Sequence, residues 1–492
     1  MFYKKQPPSC AYGNAYDLKK LIYILILTCN LQLVTLNLYP QSITWQKIYN
    51  GPGNNNDVAY DICESSDGYF YAVGAGTPIP INNGLYVLKL NPYNGDSLWT
   101  RIIPGLNAYA VAPSSDSGCV VTGLGDSVFA IKFSSSGNLV WRKHYAGNNN
   151  NVIGYDIIRD TDGNFVICGV DGSQSFDKGY LLKIDSNGNL IWQRTYPAFD
   201  DRSFVAIEVA LDGGYILAGG VWEADTVKAN LVKTDTAGNI LWERIFRTTN
   251  TLSSGLRSIS KLGNNYIAGG RVPPFFVRTD LNGNILFTKV FTEYYTYPGS
   301  DFRDMKLVGP NRFIFTFAAS NTIAEDSTCH VVVTDSLGNT LLQRFFVYER
   351  FPLFEAILPL SNGDIVFAGQ IKPFLSQWYD VYLARTDSLL NAPPIGIIPA
   401  SNEIPNEFNL QQNYPNPFNS KSKIKFQISK SGSVKLAIFN VLGMEVDVLV
   451  NEELQPGIYE TFWDAANFPS GVYFLTLYAS SNIFVRKMIL IK

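Results

Sequence analysis

The side chains able to do chemistry are few and scattered. The 492 residues contain two histidines, His144 and His330, and six cysteines. His144 follows Trp141-Arg-Lys and His330 follows Cys329, with no acid or nucleophile placed to work with either, so both are expected to be structural. Beyond the N-terminal leader, Cys63, Cys119, Cys168 and Cys329 are widely separated and form no C-x-x-C pair. That spacing suits neither a metal site nor a disulfide framework. Cys119 and Cys168 lie in Cys-Val-Val-Thr-Gly and Phe-Val-Ile-Cys-Gly, runs in which cysteine acts as a small buried hydrophobe. Glu223, Asp225, Glu325 and Asp326 could supply a hydrolytic carboxylate pair, but that chemistry needs two carboxyls about 5 to 10 Å apart across a cleft. Solvated loop charge is the simpler reading, and no catalytic residue, metal ligand or cofactor is assigned.

Composition points the same way. Charged residues are 16% of the chain, against roughly 25% in ordinary soluble domains. Aromatics reach 14%, with 40 Gly and 25 Pro, which favours an all-β build. The net charge of −3 and the polar, uncharged Asn148–Asn151 leave no electrostatic footprint for nucleic acid.

The elements that must position any site are repeats. A short β-rich run ending in Gly recurs at Gly68-Tyr-Phe70 to Gly74, Gly163-Asn-Phe165 to Gly169, Gly213-Gly-Tyr215 to Gly219 and Gly363-Asp-Ile365 to Gly369. A second unit alternates with it, as Lys183-Ile-Asp185-Ser-Asn-Gly188-Asn-Leu-Ile-Trp192 and Lys233-Thr-Asp235-Thr-Ala-Gly238-Asn-Ile-Leu-Trp242. Asp can bond its own turn backbone and Gly can take the positive φ of a tight reversal, so this unit predicts a hairpin. A calcium loop is the alternative, but further acidic ligands are missing. Each period of about fifty residues then holds four short strands, the signature of a β-propeller. Residues 43–392 accommodate seven such blades. The last Arg385-Thr-Asp387 runs into Pro393 and Pro394 where a Trp strand should stand. Thr44-Trp45-Gln-Lys-Ile-Tyr49 is an unpaired Trp strand at the other end, expected to complete the last blade and close the ring.

This half resembles the propellers of secreted bacterial surface proteins. Leu90-Asn-Pro-Tyr-Asn-Gly95-Asp-Ser-Leu-Trp99 is also similar to a repeat of pyrroloquinoline-quinone dehydrogenases, but the adjacent cysteine pair of those enzymes is absent, as is the sialidase Asp box. Antiparallel order places short uniform turns at one end of the blades and longer, variable segments at the other. Variable loops on a rigid scaffold, rich in Tyr and Trp, suit recognition. These segments carry Trp222, Arg271, Phe275, Phe276, Tyr294, Tyr295, Tyr297, Phe374, Trp378 and Tyr379. Trp222, Arg271, Tyr294, Tyr295, Trp378 and Tyr379 are the expected ligand-binding residues, the alternative being that such aromatics pack between blades.

At the N-terminus, Lys19 and Lys20 precede an apolar run from Leu21 to Tyr39, the layout of a secretory signal over residues 1–42. From Asn391, Ala-Pro-Pro-Ile-Gly-Ile-Ile-Pro-Ala-Ser reads as a linker over 393–404. Residues 405–492 then show short alternating strands at Ser422–Ile428, Val434–Asn440, Gly457–Trp463, Gly471–Tyr478 and Val485–Ile491, the pattern of a small immunoglobulin-like β-sandwich.

This last segment resembles the type A C-terminal sorting domain of the type IX secretion system of Bacteroidetes. The resemblance rests on Asn413-Tyr414-Pro415-Asn416-Pro417-Phe418-Asn419, Val434 to Gly443, Gly457-Ile-Tyr459 before Trp463-Asp464, Gly471-Val-Tyr473, and Lys487 to Lys492. It implies export to the periplasm, recognition by the outer-membrane translocon, and removal by its C-terminal signal peptidase with release or surface attachment. The expectation is therefore a secreted or cell-surface propeller that binds a glycan or protein ligand or serves as a scaffold. A polysaccharide-acting enzyme and a structural surface-layer component are the alternatives.

Overall fold

The computed structural model describes residues 44–49, 56–76, 84–145, 152–172, 177–196, 201–223, 226–247, 255–271, 273–292, 301–321, 326–346, 352–372, 378–392, 398–401, 405–419, 421–454, 456–465 and 468–492. The leader, with its apolar run, lies outside them. Among the described residues there is no α-helix, hence none long and apolar enough to cross a membrane.

The repeats fold into four-stranded antiparallel units in which sequence neighbours pair. Their first strands are Val58–Glu64, Asn107–Pro113, Val152–Arg159, Arg202–Val209, Leu256–Leu262, Asp301–Leu307 and Leu353–Pro359. Each first strand lies against the first strand of the next unit, and Leu353–Pro359 lies against Val58–Glu64. The second and third units are also joined by one pairing, Ile153 with Leu124. The last unit has only three strands from its own stretch of chain. Its fourth is Trp45–Tyr49, paired with Asp380–Thr386 from Trp45 opposite Arg385 to Tyr49 opposite Val381. The expected closing strand is thus in place, and Pro393 and Pro394 lie outside the described residues.

The recurrent residues explain how units adhere. Asp185 accepts the amides of Asn187 and Asn189 at 2.8 Å on Oδ1, and the Asn189 side chain at 2.9 Å on Oδ2. Asp235, Asp280, Asp335 and Asp387 repeat this. The bond from the Asn239 side chain leads in holding Asp235 below the usual carboxylate range. These carboxylates are occupied by hydrogen bonds within their own turns. The Gly of the turn has a second task that turn chemistry does not announce. A Cβ on Gly283 (φ +78°) would sit 2.7 Å from the Trp242 ring, and one on Gly137 would sit 2.8 Å from Trp99. The Trp of one unit therefore lies flat on the turn of the next, and its indole N–H donates to that turn: Trp99 to Ser135 O at 3.1 Å and Trp242 to Leu281 O at 2.9 Å. Trp45 makes the same clasp from the last unit onto the first, donating to Pro92 O at 3.0 Å above Gly95. It is 2% exposed.

The third-strand Lys or Arg reaches the Asp of its own first turn. Lys183 meets Asp160 at 2.7 Å, Lys233 meets Asp212 at 2.8 Å and Arg385 meets Asp364 at 2.7 Å. All three cationic side chains are nearly buried, where an unpaired charge would be costly.

After the propeller units, two four-stranded sheets share one core. In the first sheet, Gly457–Asp464 pairs with Ile398–Ser401 and Lys421–Ile428, the latter also with Asn409–Leu410. In the second, Gly432–Asn440 lies between Glu445–Leu454 and Gly471–Ala479, followed by Asn482–Leu490. Ile398–Ser401, within the stretch read as a linker, is thus a strand of this module. Glu445–Leu454 was not legible as a strand because its acids interrupt the alternation, and two bulges separate it from regular pairing. Ile424, Phe426, Leu436, Ile438, Trp463, Leu475 and Leu477 fill the core at 0% exposure.

Candidate functional site at the inner ring

Apart from the single Ile153–Leu124 pairing, each first strand pairs only with the second strand of its own unit and leaves its other edge unpaired. Unpaired edge amides need acceptors. Every first strand carries a bulge of one residue: Tyr60, Tyr109, Tyr155, Val205, Arg257, Arg303 and Glu355 are each skipped in the register with the second strand. The bulge re-aims the next residue along the free edge.

That next residue is Asp61, Ala110, Asp156, Ala206, Ser258, Asp304 or Ala356. Each Asp bridges two strands. Asp61 accepts Ile62 N and Val111 N, both at 2.8 Å. Asp156 accepts Ile157 N at 2.7 Å and Ile207 N at 2.9 Å. Asp304 accepts Met305 N at 2.7 Å and Ile357 N at 3.0 Å. Alanine stands wherever a neighbour's carboxylate arrives. Ser258, on the strand left without a bridge, donates to Asp304 Oδ1 at 3.0 Å. Lys306 balances this acidic ring from 3.6 Å off Asp304. Asp304 first, then Asp156, Asp61 and Glu208, hold its ammonium above the usual lysine range against the opposing effect of burial. Burial, with Asp156 next, lifts the Asp61 carboxyl to about 7, and burial raises Asp156 as well.

The bulge residues themselves form a second layer, one residue nearer the variable end, and it is lopsided. Tyr60 and Tyr109 meet edge to face at 5.4 Å, and Tyr109 stacks on Tyr155 at 5.9 Å. Across the ring, Arg303 pairs with Glu355 at 3.3 Å. Burial, then the Glu355 charge, raise the Tyr60 hydroxyl. Arg257 occupies the bulge before Arg303. All these side chains are half-buried. The layer was missed in the sequence because its residue types do not repeat. The signal was available in the frame Tyr60-Asp61-Ile62, Tyr155-Asp156-Ile157 and Arg303-Asp304-Met305.

The expected ligand residues are dispersed. Trp222 is 51% exposed on the fourth unit, its amide donating to Asp201 O at 2.7 Å. Trp378, 42% exposed, and Tyr379 lie on the last unit, where Tyr379 N donates to Asn56 Oδ1 at 2.9 Å. Arg271 is on the fifth unit, and its charge reaches Tyr155. Tyr294, Tyr295, Tyr297 and Phe374 lie outside the described residues. Phe275 and Phe276, read as loop aromatics, are instead 1% exposed in a strand: the third strand of the fifth unit begins at Phe275, and Phe276 packs on Phe287 and Phe291. Of the proposed acids, Asp225 and Glu325 lie outside the described residues, and Glu223 and Asp326 stand at strand ends. His330 stacks on Phe317 at 4.5 Å, and burial lowers it to about 4. The four described cysteines are free and buried.

The seam between the last and first units holds Asp57 and Asp380, both buried. Asp57 N donates to Tyr379 O at 2.7 Å, and burial raises Asp380 to about 6. Asp201 and Asp177 repeat this placement between the third and fourth units, with Asp177 N donating to Asp201 Oδ1 at 2.7 Å.

In the C-terminal module the motif residues divide into two groups. Asn413 donates to Ser422 Oγ at 2.7 Å, and Asn416 both donates to Lys487 O and accepts Ile489 N at 2.9 Å. Phe418 bridges to Leu490 and lies 5.6 Å from Trp463, while Tyr473 donates to Pro469 O at 2.8 Å. Gly443 takes φ +74° in the turn after Gly432–Asn440. Tyr414 and Leu442 are each 78% exposed, and Lys487 and Lys492 are exposed too.

Residues 412–492 match the secretion system C-terminal sorting domain family. The C-terminal module is a type IX sorting domain. Its presence means that the propeller is cargo of that system, delivered outside the cell or to its outer surface. No match was found among curated proteins. Among solved structures the chain is similar to PorZ, a surface component of the type IX secretion system of Porphyromonas gingivalis, at 14% identity over 90% of this chain and 60% of that one, TM-score 0.43. It is similar to the WD40 propeller domain of Doa1 at 12% identity over 70% and 96%, TM-score 0.46. The Dos1 propeller is similar at 13% identity over 86% and 95%, TM-score 0.44.

Proposed function

We propose that this protein is a seven-bladed propeller whose variable end binds an extracellular ligand, exported by an immunoglobulin-like sorting domain that the translocon recognises and its C-terminal signal peptidase removes. One observation carries the binding reading: the recurrent Asp, Lys, Gly and Trp are consumed by turns, ion pairs and clasps, whereas the bulge layer departs from the repeat and concentrates tyrosine and charge. Rigid, half-buried aromatics suit recognition at small entropic cost. Saturable binding on a glycan or peptide array, without turnover, is the expected result. Release of cleaved product would replace it with the hydrolytic reading. A deletion of 405–492 is expected to abolish surface delivery, and unchanged delivery would overturn the export route. A surface-layer role predicts ordered self-assembly of the purified propeller instead.

A further inference from the structure

We propose that the bulge layer of the inner ring binds a carboxylate-bearing saccharide, with the Tyr60, Tyr109 and Tyr155 arc as its stacking platform and Arg257 as its carboxylate anchor. This rests on the binding reading above and names its site and ligand class. The three rings come from adjacent first strands and pack on one another, Tyr60 edge to face on Tyr109 at 5.4 Å and Tyr109 parallel to Tyr155 at 5.9 Å, which makes them one aromatic cluster across three blades. Bulges on a paired strand hold them, so the platform is fixed by the scaffold. Sugar rings present apolar C–H faces to such surfaces and hydroxyls to their edges.

The opposite arc supplies the polar half. Glu355 offers carboxylate oxygens to sugar hydroxyls while held by Arg303 at 3.3 Å. Arg303 is thereby largely neutralised, and its neighbour Arg257 occupies the equivalent bulge with no acid at the following bulge position to pair with. A planar guanidinium so placed favours bidentate capture of a carboxylate. The acidic layer beneath would repel an anion, but Asp61, Asp156 and Asp304 are turned onto backbone amides, and Lys306 offsets their charge. An acidic peptide could also meet the arginine, but it would not use the tyrosine cluster.

The test is calorimetric titration of the full exported chain with oligogalacturonate, with a neutral galactan oligomer of equal length and with a poly-glutamate peptide as the other arms. Oligogalacturonate is expected to bind at least about tenfold more tightly than either. Arg257→Gln should abolish that preference while leaving the weak neutral binding in place. Tyr109→Ala should weaken both sugars together, and Tyr109→Phe should keep most of the binding, which guards against a misfolded alanine variant. Equal affinity for the neutral oligomer, or preference for the peptide, overturns the inference. Sugar binding lost on Trp222→Ala but unaffected by Arg257→Gln overturns the site yet spares the binding reading, whereas cleavage of the oligomer overturns the binding reading itself.

Discussion

The outer and inner rims of the propeller obey different rules. At the outer rim, Trp99, Trp192 and Trp242 lie on Gly137, Gly238 and Gly283, the same pair from unit to unit. At the inner rim, two consecutive positions diverge. The Asp61, Asp156 and Asp304 layer keeps a regular logic of bridge and gap, while the bulge layer one residue away changes from tyrosine to valine, arginine and glutamate. Repetition therefore marks what holds the ring, and its failure marks where a ligand can be read. A strand edge must satisfy its amides wherever it lies, but a side chain above that edge is free to vary.

The comparison can be broken first at the closing clasp. Trp45→Ala should cost about 3 to 5 kcal/mol in denaturant unfolding, since a fully buried Trp leaves a large void, and more than Trp242→Ala, whose ring is half-buried. Equal losses would mean that the closing strand is no special seam.

Next, Asp156→Ala removes the acceptor of two edge amides. About 1 to 3 kcal/mol of destabilisation is expected, reduced because burying the charge is itself unfavourable. No loss would mean that water satisfies those amides. For Asp61, whose folded pKa lies near 7, above its unfolded value, the folded state holds the proton more tightly. Its contribution is greatest below about pH 4 and falls away as pH rises through about 7. Asp61→Asn should therefore gain on the wild type in chemical denaturation between those pH values, and a constant difference would contradict the buried carboxyl.

The Gly clasp gives a smaller effect. Gly283→Ala should cost about 1 to 3 kcal/mol, combining positive φ with the Trp242 contact. Gly68→Ala has similar φ but open space around its Cβ, so it should cost only about 1 kcal/mol. Matching thermal-melt shifts would show that the indole does not rest on the turn. Smallest of all, Trp222→Ala should change stability by less than about 0.5 kcal/mol, because its ring is half exposed. A larger loss would make it architecture rather than loop surface.

Much of this was legible beforehand. The period, the Asp-x-x-Gly-Asn turns and the displaced strand at Trp45 were readable because local turn chemistry and alternation repeat, and the sorting module was readable from its motif. Leu390 shows the limit of such reading: it takes the turn's positive φ of +63° where the other copies have Gly, so the last hairpin survives without its marker. The inner ring was not legible. Asp61 and Asp156 look like ordinary strand acids, and Tyr60, Tyr109 and Tyr155 look like core.

By itself the sequence determined most of the strands, the turns that join them, the order of units and the address carried by the C-terminal segment, all of which depend on neighbours within a few residues. Only the tertiary structure decided that a Gly must accept an indole from the preceding unit, that three carboxylates each tie two strands, and that tyrosines about fifty residues apart in the chain touch. Those outcomes depend on closing the ring, which brings distant edges to one axis and leaves each strand a free side that its own sequence does not reveal.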